Sequence, residues 1–200
     1  MIKEALASGL ASACFFVKLR GRAAQAHRSV AFDARLLPSL NEVKEMTEAA
    51  QIFLTESRCY LRDEYPASIE RAILSLTDEQ IWWRPNEGSN SIGNLILHLT
   101  GNVRQWIVAG VGRQPNERNR QQEFDERRKI PKHELLARLT TVLAEADAVL
   151  ANLQEGELSD ARQIQGSDTT VMKAIFHAVE HFSMHTGQIQ WIAKSQLGRP

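Results

Sequence analysis

Three histidines stand four residues apart in HAVEHFSMHTGQI, residues 177–189: His177, His181 and His185. Half of the chain's six histidines fall in that one stretch. Imidazoles at this spacing share a helical face, and an HxxxH pair is a recurring way to hold a divalent metal ion. The three cannot all serve one ion. A helix rises about 1.5 Å per residue, so His177 and His185 are about 12 Å apart along the axis. Two nitrogens on one ion lie only about 4 Å apart, because metal–nitrogen bonds are about 2.0–2.1 Å. One straight helix therefore supplies a pair. At about 100° per residue, Val171, Ala174, Ile175, Ala178, Phe182, Ile189, Ile192 and Ala193 form a single apolar stripe. His185 falls inside it, His181 on its shoulder and His177 at its border. The inward pair is His181 and His185, with His177 left as an outer, supporting or packing residue.

A pair needs a third ligand from another element. His98 stands on the edge of a second apolar stripe, made by Ile92, Leu95, Ile96, Leu99, Val103, Trp106 and Ile107. Asn94, His98 and Asn102 make a polar row along that edge, which suits a polar site between helices. His27 lies in the N-terminal segment and His133 in a polar first turn, so neither is a good ligand candidate. Asn94, Asn102 and Arg104 could orient a substrate or brace a ligand, and the basic GRQPNERNRQ could recognise a carboxylate on the substrate. Glu180 points away from the paired histidines, and no general base stands out. The bland alternative is a half-buried histidine pair with no ion. His98 weighs against it, as does the lack of competing chemistry: there is no GxSxG, no Gly-rich phosphate loop and no CxxC. Structural zinc usually has four protein ligands, commonly with cysteine. Three neutral histidines instead describe an open site, whose ion could lower the pKa of water or hold a thiolate.

Four helical patterns must position these residues. The first runs over about 47–75, with a kink or break expected near Tyr65 because Pro66 removes a donor and clashes with the preceding turn. A turn-rich segment with Trp82 and Trp83 follows, read as a plug for one end of the core. The second helix starts after Ser89, Asn90 or Ser91 and ends in GVG. Residues 112–130 form a charged connection, expected to be solvated, though a loop this long can act as a lid or crossover. Pro131 opens the third helix, and Asp168 or Thr169 caps the fourth, about 169–194. Strand signals are weak, with no Asn-Gly or Asp-Gly turn. The fold class is all-α, a four-helix bundle, whose metal sites form between facing helices.

Composition bounds the rest. The chain has 200 residues and zero formal net charge, so it lacks the basic balance of a nucleic-acid binder. No apolar run reaches the ~20 residues that span a bilayer. Cys14 and Cys59 form no disulfide framework, which favours a reducing cytoplasm. Residues 1–45 are expected to be an N-terminal extension, poorly structured or helical and outside the native domain. A helical ornament and a cleaved signal sequence are the alternatives for this segment. Met46 then opens a domain over 46–200.

The stretch WWRPNEGSNSIGNLILHLTGNVRQW, followed by HAVEHFSMHTGQI, resembles the DinB/YfiT-like superfamily, and more narrowly its DUF1572 branch. The resemblance covers about 47–195. It implies a bundle, often dimeric, that holds a divalent metal (Zn, Ni, Fe or Mn) on three histidines, and these match His98, His181 and His185. It also implies a small-molecule substrate, with some members using a low-molecular-weight thiol as S-transferases and others described as hydrolases. The expected function is therefore a metal-dependent enzyme that activates a thiol or water for attack on an electrophile. The rival is a non-enzymatic metal-binding protein of stress response. It would dimerise through a second apolar surface on the fourth helix that includes Met172, Phe176, Val179 and Trp191.

Overall fold

The structure is a computed structural model that describes residues 46–198. The expected N-terminal extension, with Cys14 and His27, lies outside the described residues. The chain from Met46 folds as an all-α bundle built from four long helical runs.

The first run is α1 (Glu48–Cys59), a π-helical segment (Tyr60–Glu64) and α2 (Tyr65–Ile73). Thr47 caps α1 by accepting a hydrogen bond from the Ala50 N–H. Pro66 does not break the run. It sits at the start of α2, where a missing N–H costs nothing, and the turn before it widens so that the Tyr65 N–H reaches back to the Tyr60 carbonyl. A short α3 (Asp78–Ile81) follows, closed by a capping box between Thr77 and Gln80. Trp82 plugs the core beside it and donates its indole N–H to the Ile130 carbonyl at 2.9 Å, whereas Trp83 faces outward.

The second run is α4 (Ile92–Val103), continued by a π-helical segment (Arg104–Val111). Ser91 is its cap, in a reciprocal box with Asn94. The connection after it is not simply solvated. It holds α5 (Arg120–Asp125), which packs back on α4. The third run is α6 (Lys132–Ala151). Pro131 stands just before its first turn, and the Lys132 N–H is taken by the Asp78 carboxylate at 2.8 Å.

A hairpin interrupts the all-helical plan: β1 (Ala161–Ile164) pairs antiparallel with β2 (Ser167–Thr170), with Ile164 opposite Ser167. Gln165 and Gly166 make its two-residue turn at φ 55° and 75°, the double left-handed geometry that matches strand twist. Asp168 and Thr169 belong to this hairpin. The cap of α7 (Val171–Leu197) is Thr170, whose hydroxyl accepts from the Lys173 N–H. α7 ends at Gly198 in the left-handed region.

α4 packs against α6 and α7, α2 against α7, and α1 against α6. Their facing stripes make one core, with Phe182, Ile96, Leu99, Ile73 and Leu139 almost fully buried. No helix among the described residues is long and apolar enough to cross a membrane.

Candidate metal centre

His98 comes from the middle of α4, and His181 and His185 from the middle of α7, where the two helices face each other. The helical stripes carry these rings inward. His98 is 2% exposed and His185 8% exposed, while His181 is half-buried. One ring nitrogen from each lies within 4.8 Å of the other two. His98 Nε2 stands 2.9 Å from His181 Nε2. The rings meet edge-on, with centroids 4.4 Å apart for His181 and His185 and 5.0 Å for His98 and His185.

These residues fit a divalent ion. His185 Nδ1 lies 2.7 Å from Gln188 Oε1, so the amide oxygen accepts the Nδ1 proton and leaves a lone pair on Nε2. That Nε2 is buried and has no hydrogen-bond partner. An orphaned buried acceptor is costly unless something binds it. Metal–nitrogen bonds of about 2.0–2.1 Å place ligand nitrogens about 3–4 Å apart, so side-chain adjustments of under about 1 Å bring all three to one ion. Two of the imidazoles, His181 and His185, are pushed toward the neutral form that a metal ligand needs. Burial, followed by the neighbouring His185 and His98, pushes the His181 pKa down to about 3. Burial likewise lowers that of His185.

His177 does not join the group. Its ring lies against Trp106, with centroids 4.1 Å apart, one turn before His181, and burial lowers its pKa. Asn94 is a brace. Its oxygen accepts from Ser91 and Arg84, and its amide donates to the carbonyls of Glu123 at 2.8 Å and Glu126 at 3.2 Å. Asn102 is buried one turn after His98, with Oδ1 unpartnered. Arg104 pairs with Glu145 of α6 at 2.9 Å, and both side chains are well exposed.

Two residues of the charged connection meet at the site: Glu123, which the sequence reading did not single out, and Arg118 of GRQPNERNRQ, whose carboxylate partner within the chain is Glu123. Glu123 Oε2 lies 2.8 Å from His98 Nδ1. Arg118 clamps the same carboxylate, with Nε 2.6 Å from Oε1 and Nη2 2.7 Å from Oε2. Burial alone would raise the Glu123 pKa, but hydrogen bonds from Arg118 and His98 more than offset it and hold the carboxyl below its usual range. Arg118 also donates to Gln105 Oε1 at 2.7 Å, and Gln105 accepts from Gln165 in the hairpin turn. A sequence signal for this contact existed in Gly101, a glycine inside a helix where it costs about 1 kcal/mol relative to alanine.

The fold is a helical bundle with three histidines brought together from two facing helices. A solved structure, a DinB-like protein from Bacillus cereus ATCC 10987, shares the fold with a TM-score of 0.57 at 16% identity, over 72% of this chain and 91% of that one. Residues 48–198 match the family described as "Protein of unknown function (DUF1572)". The chain belongs to that family. No curated protein matches it. Fold and site together are compatible with a metal-binding protein, and the three histidines could hold the ion.

Proposed function

We propose that the domain over 46–200 is a metal-dependent enzyme whose divalent ion is held by His98, His181 and His185. The observation that carries this is the convergence of three imidazole nitrogens, one of them buried and without a partner. When bound, such an ion supplies Lewis-acid chemistry that activates a thiol or water for attack on a small-molecule electrophile. The chain's own contribution is to hold three imidazole donors in place and to leave the remaining positions open, since no fourth protein ligand among the described residues belongs to the cluster. A cytoplasmic setting and a low-molecular-weight thiol co-substrate belong to the same reading.

The test is metal analysis of the purified protein after loading with zinc, nickel, iron or manganese. Wild type should hold about one equivalent. His98→Ala, His181→Ala and His185→Ala should lose most of it, and His177→Ala should keep it. Retention by all three ligand variants would sink the site. A conjugation screen with glutathione, bacillithiol and mycothiol, beside a hydrolysis screen, then separates the two reactions.

A second reading keeps the ion and drops the catalysis. Phe176 is 64% exposed and Trp191 66% exposed on α7, with Met172 beside them, which suits a dimerising face. Charged substitutions there that abolish a dimer, with both screens blank, would favour this reading.

A further inference from the structure

We infer that Glu123, seated on Gly101 and clamped by Arg118, is a positioning residue that fixes the His98 tautomer and turns its Nε2 toward His181 and His185.

The hydrogen-bond accounting places a proton on His98 Nδ1. Both carboxylate oxygens of Glu123 accept from Arg118, Oε1 from Nε and Oε2 from Nη2. Neither oxygen carries a proton to give, so the 2.8 Å contact with His98 forms only if Nδ1 is the donor. Arg118 Nη2 also lies 3.2 Å from His98 Nδ1, but a protonated Nδ1 cannot accept. The carboxylate contact is shorter and charge-assisted, and it prevails. His98 Nε2, on the other side of the ring, faces His181 Nε2 at 2.9 Å. His185 is set the same way by Gln188. Two of the three donors thus present Nε2 because an oxygen holds Nδ1.

The pair is placed for this purpose and not for stability. The Arg118 side chain is 3% exposed and that of Glu123 11% exposed. Burying such a pair gains little, because desolvation offsets the attraction. The pair lies flat on α4 only because residue 101 lacks a side chain. A Cβ there would stand 1.9 Å from Glu123 Oε1 and 2.7 Å from Arg118 Nε. Asn94 fixes the backbone beneath by donating to the Glu123 carbonyl. A glycine, an asparagine and an arginine therefore converge on Glu123: Gly101 and Arg118 at its carboxylate, Asn94 at its backbone carbonyl.

The inference rests on the metal-site reading, and the experiment separates the two. Long-range proton–nitrogen NMR of the metal-free wild type should show His98 protonated on Nδ1. Glu123→Ala should shift it toward the Nε2-protonated form. Glu123→Gln should restore the Nδ1 form, because the amide oxygen still accepts. In zinc competition against a chelator, Glu123→Ala should bind 10–100-fold more weakly, the usual loss when a metal-bound histidine loses its partner, and Glu123→Gln should recover much of that. Gly101→Ala touches no ligand, yet by displacing the carboxylate it should reproduce both effects. A wild-type His98 protonated on Nε2 would overturn the inference. So would a Glu123→Ala protein with unchanged tautomer and affinity. A correct tautomer pattern in a wild type that binds no zinc would instead defeat the metal-site reading.

Discussion

At the scale of single residues, each candidate ligand is only as good as the oxygen behind it. His98 is backed by a buried carboxylate and His185 by an exposed amide. Hydrogen bonds to charged partners are about twice as strong as neutral ones, and burial strengthens them further. Gln188→Ala should therefore weaken zinc binding by only about 2–5-fold, within about 1 kcal/mol, well short of the loss on removing Glu123. Chelator competition on the two variants side by side checks the order. An equal or larger loss for Gln188→Ala would mean that burial does not set the strength of these supports. The candidate histidines were legible in the sequence because periodicity puts His185 inside one apolar stripe and His98 on the edge of another. Glu123 was not legible. Its reach to His98 depends on how a charged connection folds back over α4, and the one local clue, Gly101, does not say which residue fills the space it leaves.

At the scale of elements, the helical runs followed from their stripes and caps, while the departures came from tertiary contacts. Pro66 pointed to a kink or break near Tyr65, and the chain absorbs it by widening one turn while Leu61 and Tyr65 stay packed on the core. The hairpin before α7 was missed because its turn is Gln-Gly, a weaker signal than Asn-Gly. Here Gln165 is held in the left-handed region while its side chain bonds Gln105. Helix-to-helix clamps were equally invisible. Arg58 of α1 donates from Nε to Asp147 Oδ1 at 2.7 Å and from Nη2 to Oδ2 at 3.1 Å, tying α1 to α6. The Arg58 hydrogen bond is the main reason that the Asp147 pKa lies below the ordinary carboxylate range. A depressed folded-state pKa contributes stability above the unfolded value of about 3.9, lost as pH falls through the folded value. Asp147→Asn should cost about 1 kcal/mol at neutral pH, since the pair is partly exposed and screened. Urea midpoints of variant and wild type should converge as pH drops below about 3.9. A gap that stays constant down to that range would show that the pair stabilises by shape and not by charge.

At the scale of the whole molecule, the candidate centre joins elements distant in sequence: α4, α7, the α5 connection and, through Gln105, the hairpin. In the metal-free chain this junction carries an unpartnered nitrogen on His185 and depends on a buried ion pair that stabilises little. Anything that binds these nitrogens in the folded state, and not in the unfolded chain, stabilises the whole bundle by mass action. At a free metal concentration about 100 times its dissociation constant the gain is about 2.7 kcal/mol. For a domain of this size each kcal/mol moves the melting temperature by about 2–4 °C. Saturating zinc or nickel should therefore raise the midpoint of the wild type by roughly 5–10 °C, and a chelator should return it to the metal-free value. His98→Ala should show no such shift, and His177→Ala should show the full one. Gly101→Ala, whose ligands are intact but whose carboxylate support is displaced, should lie between them at equal metal concentration and approach the full shift as metal is raised. Calorimetry across a metal titration reads all four proteins on one scale. A wild type whose midpoint ignores all four candidate metals would remove the site as a source of stability, and a His177→Ala protein that alone loses its response would move the site outward along α7.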